Sequence, residues 1–450
     1  MPQVLQLAKE NVLTAEQRAS YTIAFIGCSR QAVLAGLTFA EAGFKVKFTD
    51  ADQSVTRRLL KGNARLRNRE VEVKLKSFIR AEKVTVSSDL KAVAATSDII
   101  ILTVDTKVDD KKAADYSEAE SICKQVGATM PKGSLFIYSG VGGFGFTEDV
   151  AKANLENTSG LKVGVDFGLA YSPLSTILQQ AMDEGSAELV VTADDNSSLD
   201  SAAVILETVA KQGVKRTLGI RTAELAALFD AVSRDSNAAM ANELATFCEA
   251  AGVDYFDVSK LMNRNNARVT MLPTISEEVN RNEAYMLLEN SENLNAKLRL
   301  PSLVRQVNED MVRHAVNLTQ EALRSIEKPL RRAKVALLGA SLDPGTGHLA
   351  FVDMLEAKGA KVTLYDPYSP GADQVDRLAV KKTLNEATEG TDCVIVLSDQ
   401  EQLKRLNLKK LRMLMKSPAA IVDLTLQLEP EKVQEAGFIY RGLGRGIWKK

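Results

Sequence analysis

One pattern occurs twice in this 450-residue chain, once towards each end. The first copy runs Ile23-Ala24-Phe25-Ile26-Gly27, a helical stretch closing on Glu41-Ala42-Gly43, then Lys45-Val46-Lys47-Phe48-Thr49-Asp50. The second runs Val335-Ala336-Leu337-Leu338-Gly339, a helical stretch through Glu356-Ala357-Lys358-Gly359, then Lys361-Val362-Thr363-Leu364-Tyr365-Asp366. Downstream, Ser97-Asp98-Ile99-Ile100-Ile101-Leu102-Thr103-Val104 is answered by Thr391-Asp392-Cys393-Val394-Ile395-Val396-Leu397-Ser398. Short apolar runs that alternate with helices and end on turn residues are the mark of buried parallel strands. The repeat therefore predicts an α/β protein: two Rossmann-like, doubly wound parallel-sheet domains joined by something different.

The joining region predicts helices. Ala223 to Gly252 is Ala-rich and free of proline, with Gly252 placed as a C′ residue. A further helix is expected over about 303–326, with Pro329 just past its end, and Asn290 to Asn295 reads as an exposed polar loop. The boundaries expected are 1–204, 205–330 and 331–450.

Composition excludes more than it selects. A formal net charge of -1 gives no global field to draw nucleic acid or an anionic membrane. The basic run Lys404 to Arg412 reads as the solvated face of a surface helix. Cys28, Cys123, Cys248 and Cys393 show no paired spacing, and the two histidines, His314 and His348, stand in separate segments. Neither a disulfide framework nor a metal centre is expected. The first twenty residues lack the apolar core of a secretory leader, and no apolar run has membrane-spanning length, so a cytoplasmic setting is expected.

The first repeat carries a phosphate-type turn, Gly27-Cys28-Ser29-Arg30-Gln31-Ala32, with Asp50 at the end of the next strand. In a Gly-x-Gly-x-x-Gly turn the pyrophosphate rests on a helix N-terminus and the acid holds a ribose. Gly27 is in place, and Ala32 still permits close helix packing. Ser29 puts a Cβ where the second glycine would let the backbone approach the phosphates, although its hydroxyl can donate a hydrogen bond. Two readings stand: an NAD site using Gly27, Ser29, Arg30, Ala32 and Asp50, or an α/β scaffold with an empty crevice. Thr106 and Ser139 are either further cofactor contacts or strand-end caps.

The order of segments resembles the UDP-glucose/GDP-mannose dehydrogenase family, over about residues 20–446. Phe39-Ala40-Glu41-Ala42-Gly43 is similar to the family's first helix end, and Ser97 to Thr106 to its strand and Thr-Pro loop. Asp166 to Pro173 resembles the approach to its Ser-Pro-Glu. Asn242-Glu243-Leu244 followed by Cys248 to Asp254 resembles its central helix, and Tyr440 to Gly446 its closing turn. The resemblance, closest to UDP-N-acetylmannosamine dehydrogenases, implies an NAD-binding domain (1–204), a central helical dimerisation domain (205–330) and a nucleotide-sugar (UDP)-binding domain (331–450).

The chemistry it implies is a four-electron oxidation of a sugar alcohol to a carboxylate, through a cysteine thiolate and two hydride transfers to NAD. The residues for it are missing. The cysteine loop is replaced by Pro273 to Asn280, with Val279 near the nucleophile's place, and no cysteine lies between Cys248 and Cys393. The family's lysine and asparagine fall on Ala227 and Ala231, and its Ser-Pro-Glu glutamate on Leu174. In the second α/β domain a lysine falls on Asp343 and an arginine on Ala350, and Asp-Gly-Arg becomes Asp423-Leu424-Thr425. No catalytic residue is therefore assigned. Asp230 and Asp235 read as solvated helix carboxylates or as acids, and His348 as the one histidine in a glycine-rich loop. Three functions remain open. One is a family member without the standard activity, and another a two-electron NAD-dependent oxidoreductase acting on a related sugar. The third is a non-catalytic partner of an intact paralogue.

Overall fold

The computed structural model describes residues 4–5, 7–64, 69–109, 111–173, 188–262, 272–275, 281–340, 347–366 and 379–446. They form two compact units: Met1–Asp230 with Tyr285–Ala296, and Ala231–Ala284 with Lys297–Lys450.

The first unit is built on ten strands. They are β1 (Thr22–Ile26), β2 (Lys45–Thr49), β3 (Val84–Val86), β4 (Ile99–Leu102), β5 (Lys107–Val108), β6 (Ala114–Asp115), β7 (Leu135–Tyr138), β8 (Gly168–Tyr171), β9 (Leu189–Ala193) and β10 (Val214–Leu218). β5 and β6 form a small antiparallel hairpin, and the other eight make one sheet in the order β10-β9-β8-β7-β4-β1-β2-β3. The second unit carries β11 (Lys334–Leu338), β12 (Lys361–Tyr365), β13 (Ala379–Val380), β14 (Cys393–Val396), β15 (Ala420–Asp423) and β16 (Ile439–Gly442), in the order β13-β12-β11-β14-β15-β16. Apart from the hairpin, the first six strands of each unit take the same positions, 3-2-1-4-5-6, so each sheet reverses direction beside its first strand. The expected pair of Rossmann-like sheets is present. β4, β7, β14 and β15 are buried along their whole length, which is why each reads as an unbroken apolar run.

The repeat extends to individual hydrogen bonds. Asp98 accepts from the Thr22 amide at 2.8 Å, and Asp392 accepts from the Lys334 amide at 2.9 Å. The Gly27 amide donates to Thr49 O at 2.9 Å, and the Gly339 amide to Tyr365 O at 2.8 Å. In both copies an acid before the fourth strand fixes the start of the first, while a glycine leaves its far end.

Two sequence expectations need correction. The stretch expected to be helical from about 205 contains β10, a fully polar-flanked edge strand (VKRTL) whose half-exposed positions hide the apolar signal of a strand. Asn290 to Asn295 is not a loop up to residue 293: it lies within the Arg281–Asn293 helix. There Asn290 Oδ1 accepts from the Phe144 amide at 3.2 Å and Ser291 is buried, while residues 292–295 are exposed. The long central helix runs Ile220–Ala251 and stops at Gly252 with φ +69°, as the sequence indicates. A second long helix runs Leu300–Arg324. The basic run lies on two short helices, Glu401–Lys404 and Leu408–Leu414, with Lys409 and Lys410 exposed and Leu411 buried.

The matched acids differ electrostatically. Desolvation dominates at Asp98 and pushes its carboxyl up despite the Thr22 amide. At Asp392 burial also opposes ionisation, but the Lys334 amide with Lys416 and Lys328 outweighs it and holds the carboxyl low. An acid held low contributes stability above its unfolded pKa of about 3.9, and this is lost as pH falls through the folded value. An acid pushed up contributes stability at low pH that is lost as pH rises through its folded value. Urea unfolding between about pH 7 and about pH 3 should therefore show opposite trends. The stability gap between the protein and Asp392→Asn closes as pH falls, whereas the gap for Asp98→Asn widens.

Candidate functional site

Four strand ends of the first sheet carry the residues singled out by sequence. Gly27 follows β1 with φ +97°, and a Cβ there would lie 2.9 Å from both Thr103 Oγ1 and Val104 Cγ2. Glycine is required by the backbone and by the loop after β4 together. Thr103 holds that contact by donating its hydroxyl to Ile26 O at 3.0 Å and Gly27 O at 2.9 Å. The chain then enters the Arg30–Ala42 helix, capped by Ser29, whose Oγ accepts from the Ala32 amide at 3.1 Å. Arg30 is half-buried in the first turn and Ala32 is fully buried.

Asp50, just past β2, accepts from the Cys28 amide at 2.7 Å and the Asp52 amide at 2.9 Å. It therefore fixes the glycine turn as well as facing outward. A cavity of about 530 Å³ opens from it, lined by Asp50, Gln53, Ser88, Leu90, Ile122 and Gln125 among others. Apolar Leu90 and Ile122 with a carboxylate at one end suit a flat base joined to a ribose. Thr106 and Ser139 lie in the loops after β4 and β7, each only 1% exposed. The Thr106 amide donates to Val141 O at 2.9 Å and the Val141 amide to Asp105 Oδ1 at 2.8 Å, joining the two loops. Ser139 Oγ is buried with no hydrogen-bond partner among the described residues, a hydroxyl facing an unmet demand. These features fit a dinucleotide: a turn opened by a positive-φ glycine at a helix N-terminus, an acid bordering a base-sized cavity, and an orphaned hydroxyl across the switch point.

The sequence reading missed Gly36. A Cβ on it would come within 2.3 Å of the Phe48 ring, so this residue lets the helix lie on β2. An isolated glycine inside a helical pattern was the available signal.

The other candidates do not assemble into chemistry. Ala227 is partly buried against an apolar cluster that includes Tyr138, Phe146 and Tyr171, and Ala231 is buried. Leu174, Val279 and Asp343 lie outside the described residues. Asp230 is exposed, but Asp235 is not the solvated carboxylate expected: it is 1% exposed and pairs with Arg305 at 2.8 Å. Asn308 also donates to Asp235 Oδ1 at 2.6 Å, and Asn242 donates to Asn308 at 2.9 Å. The apolar surroundings predicted by an alanine-rich helix conceal this network. Asp423 is fully buried and accepts from the Thr425 amide at 2.9 Å, the Thr425 hydroxyl at 2.8 Å and the Leu428 amide at 2.8 Å. It shapes a turn. Ala350 is half-buried, and His348 is buried in the first turn of the Gly347–Ala357 helix.

None of the four thiols is primed as a nucleophile. Burial pushes Cys28 well above the ordinary thiol value, Cys123 to about 12, and Cys248 and Cys393 upward. Among the described residues no cluster of three or more His, Cys, Asp or Glu is placed to hold a metal ion, and no helix is long and apolar enough to cross a membrane.

Comparison with known proteins agrees with this geometry. Residues 21–209 match the NAD binding domain of the UDP-glucose/GDP-mannose dehydrogenase family, residues 221–310 its central domain and residues 345–430 its UDP binding domain. The UDP-N-acetyl-D-mannosamine dehydrogenase of Pyrococcus horikoshii is 27% identical over 439 residues, covering 94% of this chain and 99% of its own. A UDP-glucose 6-dehydrogenase of Bacillus subtilis is 24% identical over 448 residues, covering 94% and 93%. The solved structure of a UDP-D-ManNAc dehydrogenase from Pyrococcus horikoshii superposes with a TM-score of 0.78 at 25% identity, covering 95% of this chain and all of that one. A UDP-glucose dehydrogenase from Pyrobaculum islandicum shares the fold with a TM-score of 0.73 at 19% identity, covering 94% and 98%. With an NAD binding domain, a central domain and a UDP binding domain matched in order, the chain belongs to the UDP-glucose/GDP-mannose dehydrogenase family.

Proposed function

We propose that this chain is a nucleotide-sugar dehydrogenase homologue that binds NAD in its first α/β domain and does not perform the family's four-electron oxidation. The carrying observation is the contrast between two regions. The strand-end site of the first sheet fits a dinucleotide, while the positions where the resemblance places catalytic side chains hold only alkyl groups: Leu174, Ala227, Ala231 and Val279. Gly27, Ser29, Arg30, Ala32 and Asp50 would hold the adenosine and pyrophosphate half of NAD, and Thr106 and Ser139 the other half. When bound, NAD supplies a hydride acceptor. Alanine at 227 and 231 can neither donate a hydrogen bond nor supply charge, so no oxyanion is steadied there. With every thiol protonated by burial, no covalent capture of an aldehyde follows either.

The domain roles expected from the resemblance, with boundaries at 204 and 330, belong to the same proposal. So does a cytoplasmic setting, with a nucleotide sugar as the ligand of the second α/β domain. A homodimer is supported by the Ile220–Ala251 helix, where Met240, Leu244 and Phe247 stand exposed at helical spacing, Phe247 by 70%. A two-electron oxidation of an alcohol to a carbonyl is the second reading. It needs a base and a hydride acceptor but no thiol, and Asp105, described below, favours it.

Thermal-shift measurements test the cofactor reading. NAD at 100 times its dissociation constant should stabilise the protein by about 2.7 kcal/mol, and a flat response would remove it. Ser29→Gly should tighten NAD binding, since it clears the Cβ and costs only a few tenths of a kcal/mol in capping. Ser29→Ala, by contrast, should lose about 1 kcal/mol of stability. Incubation with NAD and UDP-N-acetylmannosamine should yield no uronic acid; turnover to the acid at an ordinary dehydrogenase rate would refute the proposal. For the dimer, the double change Leu244→Asp with Phe247→Asp should halve the mass seen by sedimentation equilibrium.

A further inference from the structure

We propose that Asp105 gives the nicotinamide half of the cleft a negative charge that makes the oxidised, cationic cofactor bind more tightly than the reduced one. This rests on the NAD reading above. In a sheet of this order the two halves of a dinucleotide lie on either side of the switch point. Asp50 follows β2 on the β1–β3 side, and the 530 Å³ cavity opens from it towards the Ser117–Gly127 helix. Asp105 stands three residues beyond β4, on the other side, between Val104, which abuts Gly27, and the buried Thr106.

Its place in the fold is what matters: it stands in the loop after β4, beside the glycine turn. Its carboxylate takes one hydrogen bond, from the Val141 amide at 2.8 Å, and the residue stays exposed to solvent. The loop pair that carries it is tightly packed: a Cβ on Gly140 would lie 2.6 Å from Val104 O and 2.9 Å from the Tyr138 hydroxyl. A charge at this point is therefore held in place rather than left on a mobile arm. The Tyr138 and Tyr171 hydroxyls on β7 and β8 are both pushed up, first by burial; Asp105 comes next at Tyr138, and after Glu224 at Tyr171. Glu224 on the Ile220–Ala251 helix acts on the same tyrosines, but its carboxylate is occupied by the Gly145 amide at 2.7 Å and the Thr147 amide at 2.8 Å. Asp105 itself is pushed up by desolvation, which outweighs the Val141 amide.

NAD carries a positive charge on its nicotinamide ring and NADH does not. A carboxylate on the wall of the cleft would favour the cation electrostatically, by about tenfold. The same preference holds the cofactor in the hydride-accepting form that an alcohol oxidation requires.

The test measures dissociation constants of NAD, NADH and ADP-ribose by calorimetry at pH 8.5, for the protein and for Asp105→Asn. Asparagine keeps an acceptor for the Val141 amide. The expected result is that the ratio of the NADH to the NAD dissociation constant falls about tenfold in the variant while ADP-ribose binding is unchanged. An unchanged ratio overturns the inference. Equal weakening of all three ligands also overturns it, because Asp105 would then act only by joining the two loops. If none of the three binds the unaltered protein, the NAD reading fails and this inference fails with it. Glu224→Gln is the control: a tenfold fall there in place of Asp105→Asn assigns the charge to the wrong residue and overturns the proposal as well.

Discussion

The first strand of each sheet is the element on which the rest is hung. β1 is paired in parallel on one side with β2 and on the other with β4, and β11 likewise with β12 and β14. No crossover can cover the point where the chain leaves such a strand, because the connections depart in opposite directions. That opening persists only if the three strand ends keep their offsets. In the first unit the offset is set by Thr103, which bonds the last carbonyls of β1, and by Asp50, which bonds the turn that follows. A residue expected to recognise a ribose is therefore also a structural member of the phosphate turn. Losing Asp50 would disturb the backbone before any ligand arrived.

This double duty bears on Ser29. Its Cβ argues against close phosphate approach, yet its hydroxyl caps the helix on which the phosphate would rest. Serine at an N-cap satisfies one of the amides that would otherwise point at an anion. The turn thus stabilises its own helix with a side chain that a glycine would leave out of the phosphate's way.

Much of this was legible in the residues. The repeated strand-glycine-helix-strand-acid order gave both sheets, because fully buried parallel strands leave apolar runs that need no partner to be recognised. Gly252 marked the helix end through its backbone freedom. What stayed hidden had a common cause: the decisive contact lay far away in sequence. β10 is polar because it sits at an edge, and only its pairing with β9 makes it a strand. Asn290 looks like a loop residue until the Phe144 amide is brought to it. Asp235 looks solvated on its own helix, since its partner Arg305 is 70 residues on. The sequence places Asp105 only in a strand and loop, because its one described hydrogen bond comes from Val141, 36 residues on.

The fates of Asp235 and Asp105 show where acid–base chemistry can and cannot reside in this chain. A buried ion pair loses the hydration of both partners and repays it only when its remaining hydrogen bonds are met. Asp235 takes hydrogen bonds from both Arg305 and Asn308 on Oδ1, with Asn242 and Thr274 extending the network. Removing a proton from such a group, or adding one, would break several bonds together, so it cannot serve as a freely exchanging acid. Asp105 accepts one amide hydrogen and keeps a face open to solvent. Its protonation changes one interaction instead of many. In the helical centre the Asp235 carboxylate is closed into structure, whereas Asp105 lies in the loop after β4 with its charge open to solvent.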